Sequence, residues 1–175
     1  MPLLLAVILI AGCWMSLYAA ETTDRGVGIF TSLAIESGVR IIKFTGELVH
    51  RNDMKAYEKF IQVDTHIWMG SSGLFDDFIN HSCNPNTGIV ETGNKYEFWL
   101  ETIRPIAAFE EITFDYSTSM VYEPTDMACN CKSENCRGII NNFADLPLNT
   151  QNKYINLKII PKFVLEASKE LIGTF

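Results

Sequence analysis

The chain has 175 residues, 47% of them apolar and 20% charged, with a formal net charge of −7. That length supports one full-sized domain with small additions and argues against two independent cores, while the composition excludes a disordered chain. The negative charge argues against nucleic-acid binding through the overall field and suits a basic partner such as a lysine-rich peptide.

Residues 2–20 carry no charged side chain, and residues 3–10 are continuously apolar. Three readings are open for this start: a signal or membrane-associating segment over residues 1–16, a lipid-bearing Cys13 within Ile10-Ala11-Gly12-Cys13, or part of a first buried strand. Cleavage after Ala20 would place Tyr18 where a small residue is expected, and no Lys or Arg lies near the start. It would also remove Leu17-Tyr18-Ala19, which read as first-strand residues. Gly26-Val27-Gly28-Ile29-Phe30 leads into β-rich sequence, and residues 39–44 read as a strand entered through Glu36-Ser37-Gly38. Asn52 is placed to cap a short helix over residues 53–60. Gly70-Ser71-Ser72-Gly73 is a turn, and residues 96–100 and 111–116 read as strands. Residues 161–171, with Pro161 at the start and apolar Phe163, Val164, Ala167 and Leu171, read as a terminal helix. The class is mostly β (α+β).

Cys129, Cys131 and Cys136 form a C-x-C-x4-C run followed by Arg137-Gly138. Three thiolates do not complete a tetrahedral shell, and Cys83, within Asn80-His81-Ser82-Cys83-Asn84-Pro85-Asn86, is the candidate fourth ligand. Only Cys13 is then left over. Disulfides are the competing reading, but a bridge between Cys129 and Cys131 would be strained, so four thiolates around Zn2+ fit the spacing better.

Over roughly residues 18–142 these blocks, in this order, resemble the SET-domain protein lysine methyltransferases with a post-SET zinc module. The matching residues are Arg25-Gly26-Val27-Gly28-Ile29-Phe30, Thr45-Gly46-Glu47, the Phe78-to-Asn86 block with N-H-S-C, and Glu110-Glu111-Ile112-Thr113-Phe114-Asp115-Tyr116. The cysteine run completes the set. The resemblance implies a β-clip fold of short sheets with a knot-like core, a SET domain over residues 17–118, a post-SET zinc module over 125–141 and a helical tail over 142–175. It implies methyl transfer from S-adenosylmethionine to a lysine ε-amine of a protein substrate, histone-like in many relatives. An intracellular location follows from the reduced thiolates and the cofactor. A SET fold that binds zinc or protein without turnover is the alternative.

By the same resemblance, Tyr116 is the catalytic tyrosine, and Gly26, Val27, Gly28, Asn80, His81 and Tyr116 bind the cofactor. Phe114 sits where relatives carry Phe or Tyr, and a phenylalanine leaves room for di- or trimethylation. The reaction is an in-line displacement governed by positioning and electrostatics, with a neutral amine and no dedicated base. Three positions depart from the pattern: Phe44 stands for a tyrosine, Asp77 for an arginine, and Phe109 for a turn glycine. If residue 109 needs positive φ, the turn is expected to be remodelled.

Overall fold

A computed structural model of the chain describes residues 5–10, 13–54, 60–122 and 127–172. In chain order its strands are β1 (Leu5–Ile10), β2 (Cys13–Glu21), β3 (Val27–Thr31), β4 (Arg40–Lys43), β5 (Leu48–His50), β6 (Ile61–Asp64) and β7 (Ile67–Met69). There follow β8 (Asn80–His81), β9 (Thr87–Glu91), β10 (Phe98–Thr102), β11 (Glu111–Phe114), β12 (Met127–Ala128), β13 (Ile139–Ile140), and helices α1 (Leu148–Asn156) and α2 (Lys162–Ile172). The strands form small sheets in the orders β1-β2-β3-β11-β8, β4-β10-β9, β5-β7-β6 and β12-β13. This is the mostly-β architecture expected from the sequence.

Two patterns of burial follow from position. Strand β10 alternates, burying Phe98, Leu100 and Thr102 while Trp99 and Glu101 are only partly covered. Strand β11 buries Ile112, Thr113 and Phe114 in succession, since it lies inside the molecule between β3 and β8. Its pairing with β8 is parallel, Thr113 opposite Asn80 and Phe114 opposite His81. The Ser82 amide continues that ladder to the Phe114 carbonyl at 3.1 Å. Asn86, 1% exposed, extends it with its side chain: Oδ1 accepts from the Thr113 amide at 2.9 Å and Nδ2 donates to the Glu111 carbonyl at 2.7 Å. The N-H-S-C segment is thereby laced to β11, forming the knot-like core.

The tail belongs to the same core. Phe143, Tyr154, Ile159 and Val164 are buried together with Leu17, Ile29, Leu100 and Ile112. Gly88 in β9 has no side chain where Ile159 presses in, and a Cβ there would collide with it. Helix α2 matches the expected terminal helix. Helix α1 has only Gln151 and Tyr154 buried, too sparse a pattern for periodicity to reveal.

Two expectations are corrected, and the start of the chain is described in part. The apolar start contains strand β1, paired antiparallel with β2 from Leu5 opposite Tyr18 to Ile10 opposite Cys13, and β2 runs across the expected junction at residue 16. Residues 1–4 and 11–12 of that start lie outside the described residues, and among those described no helix is long and apolar enough to cross a membrane. Asn52 caps no helix: its amide donates to His50 Nδ1 at 3.3 Å, starting a single 3-10 turn over Arg51–Asp53. Stacking of the Arg51 guanidinium on Trp68, 5.3 Å from the ring centroid, pins that turn, and residues 55–59 of the expected helix lie outside the described residues. The turn at Phe109 is not remodelled either. Phe109 itself adopts φ +65° with its ring 70% exposed, held by its amide donating to Thr31 at 2.6 Å. A left-handed conformation costs a non-glycine residue roughly 1–2 kcal/mol, which the flanking ladder sustains.

Candidate metal centre and active site

Cys83 leaves the knotted segment just after β8, and the β12–β13 pair folds the loop bearing Cys129, Cys131 and Cys136 over it. The Sγ atoms of Cys83 and Cys129 are 3.7 Å apart, and those of Cys129 and Cys136 are 3.6 Å apart. Cys131 Sγ accepts the Cys83 amide at 3.5 Å. A zinc–sulfur distance of about 2.3 Å gives a tetrahedral edge of about 3.8 Å, so these two spacings match ligands that share an ion and lie well beyond a disulfide bond. All four cysteines are free. Amides of Arg137 and Gly138 donate to Cys83 and Cys136 sulfur at 3.4 Å each, contacts that would favour a thiolate at either sulfur. Burial raises the Cys83 thiol to about 11, so ionisation there needs a cation nearby. Burial also resists ionisation of Cys131, but hydrogen bonds from the Cys83 amide and Ser133 outweigh it and bring the thiol down to about 6.

His81 stands beside this cluster, Nε2 3.3 Å from Cys83 Sγ, and its nearest ring nitrogen joins Cys83, Cys129 and Cys131 within 4.8 Å. Burial lowers its pKa to about 4 despite the Asp115 carboxylate, so the ring is neutral. Nδ1 accepts the Tyr116 amide at 3.2 Å, which puts the proton on Nε2, facing the sulfur.

Tyr116 opens a 3-10 turn (Tyr116–Ser119) whose N-cap is Asp115. Its hydroxyl donates to the Ile79 carbonyl at 2.7 Å, and burial raises its pKa to about 12. The ring lies 4.9 Å from Phe114 and 5.4 Å from His81, and Phe114 meets Phe44 edge-on at 5.8 Å. A pocket opens at this cluster, lined by Phe44, Phe60, Met69, Phe114 and Tyr116 on apolar walls and by Asp76 and Asp77. Asp76 accepts the Thr45 amide at 2.8 Å. Asp77, in the position where arginine was the expected residue, accepts the Ser72 and Gly73 amides at 2.9 and 2.7 Å. The substitution therefore shapes the Ser71-Ser72-Gly73 turn.

On the other side of β8, Asn80 Nδ2 donates to the Val27 carbonyl at 3.2 Å and to Glu111 Oε1 at 2.8 Å. Arg25 pairs with Glu111 Oε2 at 2.5 Å. A Cβ on Gly28 would strike Glu111, whereas one on Gly26, at φ +70°, would meet nothing within 4 Å. The glycine loop is thus fastened at Gly28 and open at Gly26. The sequence blocks contained Arg25, Glu111, Asp115 and Arg137, but no role for them was legible, because their pairings cross 22 to 86 residues. Tyr154 carried no signal at all.

Of the residues expected at the two sites, Phe114 and Tyr116 line the pocket with His81 against the Tyr116 ring, and Asn80 meets Val27 on the other side of β8. Of the four cysteines, the ligand atoms of Cys83, Cys129 and Cys131 lie within 4.8 Å of one another together with His81, a group that does not include Cys136. The SET domain family matches residues 26–117, and the chain belongs to that family. It is 32% identical over 133 residues to "Histone-lysine N-methyltransferase ash1" of Drosophila melanogaster, a match over 68% of this chain and 6% of that protein. It is 29% identical over 135 residues to "Histone-lysine N-methyltransferase, H3 lysine-36 specific" of Eremothecium gossypii, over 69% of this chain and 20% of that one. The chain thus spans a small part of the curated relatives it matches. Its fold resembles the crystal structure of KRYPTONITE in complex with mCHG DNA and SAH, with a TM-score of 0.60 and 22% identity, over 71% of this chain and 29% of that one.

Proposed function

We propose that this chain is an S-adenosylmethionine-dependent protein-lysine N-methyltransferase, acting on a histone-like substrate and able to add more than one methyl group. The Tyr116 phenol carries the reading: partly buried, it is held by the Ile79 carbonyl at the end of an aromatic pocket, on the segment laced to Asn80-His81. S-adenosylmethionine supplies an activated methyl group on a positively charged sulfur. The open backbone at Gly26 fits a ligand approaching the loop closely. Gly26, Val27 and Gly28 would bind it through the main chain, with Asn80 and the His81 backbone opposite and Tyr116 at the transfer point. The Phe44, Phe60 and Phe114 rings exclude water from an entering lysine, which favours its neutral, nucleophilic form, and the departing proton leaves through water without a dedicated base. Phe114 presents no hydroxyl to crowd an amine that already bears a methyl group.

Cys83, Cys129, Cys131 and Cys136 would hold one structural Zn2+, which would tie the cysteine loop to the segment that follows β8. His81 acts as a hydrogen-bond donor to Cys83 sulfur, since its Nδ1 is taken by the Tyr116 amide. In this reading residues 17–118 form the SET domain, 125–141 the zinc module and 142–175 a tail whose described helices join the SET core, and the protein works inside the cell. No nucleic-acid contact is part of the reading.

The test is mass spectrometry of histone H3 and its lysine peptides incubated with the chain and S-adenosylmethionine. Mono-, di- and trimethyl products are expected, and Tyr116→Phe should slow transfer by roughly a hundredfold while zinc content holds and the melting temperature falls only by the worth of the lost bond to Ile79. Cofactor binding without any transfer would establish the silent module instead, and monomethyl product alone would refute the role of Phe114.

A further inference from the structure

The tail reaches the back of the proposed active site at one buried point. Asp115, 1% exposed, lies between β11 and the Tyr116 turn, and its two oxygens face different parts of the molecule. Oδ1 accepts Arg137 Nη2 at 2.8 Å and the Ser117 amide at 3.1 Å, and lies 3.5 Å from His81 Nδ1. Oδ2 accepts the hydroxyl of Tyr154 at 2.9 Å. Tyr154 is itself 1% exposed, on α1, outside the residues that the family match covers. Arg137 follows Cys136 directly, its amide donates to Cys83 sulfur, and its Nη2 also reaches Ser117 Oγ at 3.4 Å. One carboxylate thus joins the cysteine loop, the tail helix and the turn that aims the phenol. The docking of α1 is fixed nearby by Ile159 against Gly88 and by Gln151 Nε2 donating to the Ala144 and Leu146 carbonyls at 3.1 and 2.7 Å.

We propose that Tyr154 is a positioning residue for methyl transfer: through Asp115 it fixes the Tyr116 turn, so the tail helix is a working part of the active site. Tyr154 does not touch the pocket and acts only through the carboxylate. Without its hydroxyl, Asp115 Oδ2 is buried and unpaired, and the carboxylate rotates away from the Ser117 amide to recover a partner. The turn then loosens while the helix, packed by Tyr154's ring, Ile155, Ile159 and Ile160, keeps its place.

The inference rests on the methyltransferase reading for its catalytic half, so the test has two independent measurements on full-length Tyr154→Phe, a change that keeps the ring. Amide hydrogen exchange should quicken by about fivefold or more at residues 117–119, the worth of one hydrogen bond, with protection across Leu148–Asn156 unchanged. Steady-state kinetics on the histone H3 peptides should show kcat lowered and KM for peptide and S-adenosylmethionine retained. Adding Tyr154→Phe to Asp115→Asn, which already weakens the pairing with Arg137, should lose little more than Asp115→Asn alone. Unchanged exchange at the turn, a uniform loss of protection through α1, or an unaltered kcat in an active enzyme overturns the proposal. If the wild-type chain transfers no methyl group at all, the functional reading falls, and the exchange data by themselves decide the coupling.

Discussion

Alanine at Gly28 is the sharpest structural perturbation available. No left-handed φ protects this glycine, so the backbone accepts a side chain. The obstacle is that the new Cβ would strike Glu111 Oε1 and lie 2.9 Å from Asn80 Nδ2 and 3.0 Å from Thr22 Cγ2. Glu111 must move, and moving it breaks its bonds to Arg25 and to Asn80, in a site where the Arg25 and Glu111 side chains are only 22% and 14% exposed. Hydrogen bonds to a charged group are worth about 1.5–3 kcal/mol each, so a loss of about 3 kcal/mol is expected after partial re-solvation. For a domain of this size that is a fall of roughly 6–12 °C in melting temperature, at about 2–4 °C per kcal/mol. Differential scanning calorimetry measures it without any ligand. Shortening the carboxylate makes room for the methyl group, so Gly28→Ala with Glu111→Asp should melt higher than Gly28→Ala alone. A Gly28→Ala protein that melts like wild type, or a double variant that melts no higher than the single one, would show that Glu111 does not fasten the loop.

Two further outcomes follow from the metal and the buried imidazole. Cys83→Ser should lower bound zinc from one ion per chain toward none and release the 129–138 loop to protease, whereas Cys13→Ser should leave zinc content unchanged; plasma emission spectrometry reads both. His81 is protonated in the unfolded chain near pH 6.5 but in the folded chain only near 4, so its contribution is complete above about 6.5 and declines as pH falls toward 4. Wild type should lose up to about 3 kcal/mol over that window, and His81→Gln should flatten this part of the profile in urea titrations.

Much of both sites was legible because their residues sit in short blocks whose spacing is itself chemical. C-x-C-x4-C supplies three ligands, one short of a tetrahedral shell, and Cys83 was the candidate fourth; its sulfur lies 3.7 Å from that of Cys129, and His81 stands in the same group. Tyr116 and Asn80 were singled out by their blocks, and β10 by its aromatic content. Less was legible where the decisive partner lies far along the chain. Residue 109 looked like a glycine position to be rebuilt, yet a phenylalanine holds the left-handed turn because the ladder to Thr31 continues through it. Asn52 looked like a helix cap, and His50 takes that role for a shorter turn.

Local pattern settled which residue types stand beside one another in the chain: the apolar runs that become strands, the thiols at ligand spacing, the phenol ending the F-D-Y block. Tertiary structure alone decided that Glu111 lies beneath Gly28, that Asp115 gathers Arg137 and Tyr154, and that the tail joins the core through Ile159 and Gly88. The division has a physical cause. Periodicity and ligand spacing are properties of neighbouring residues, whereas the pairing of buried charges is fixed only when distant segments are packed and water is excluded between them.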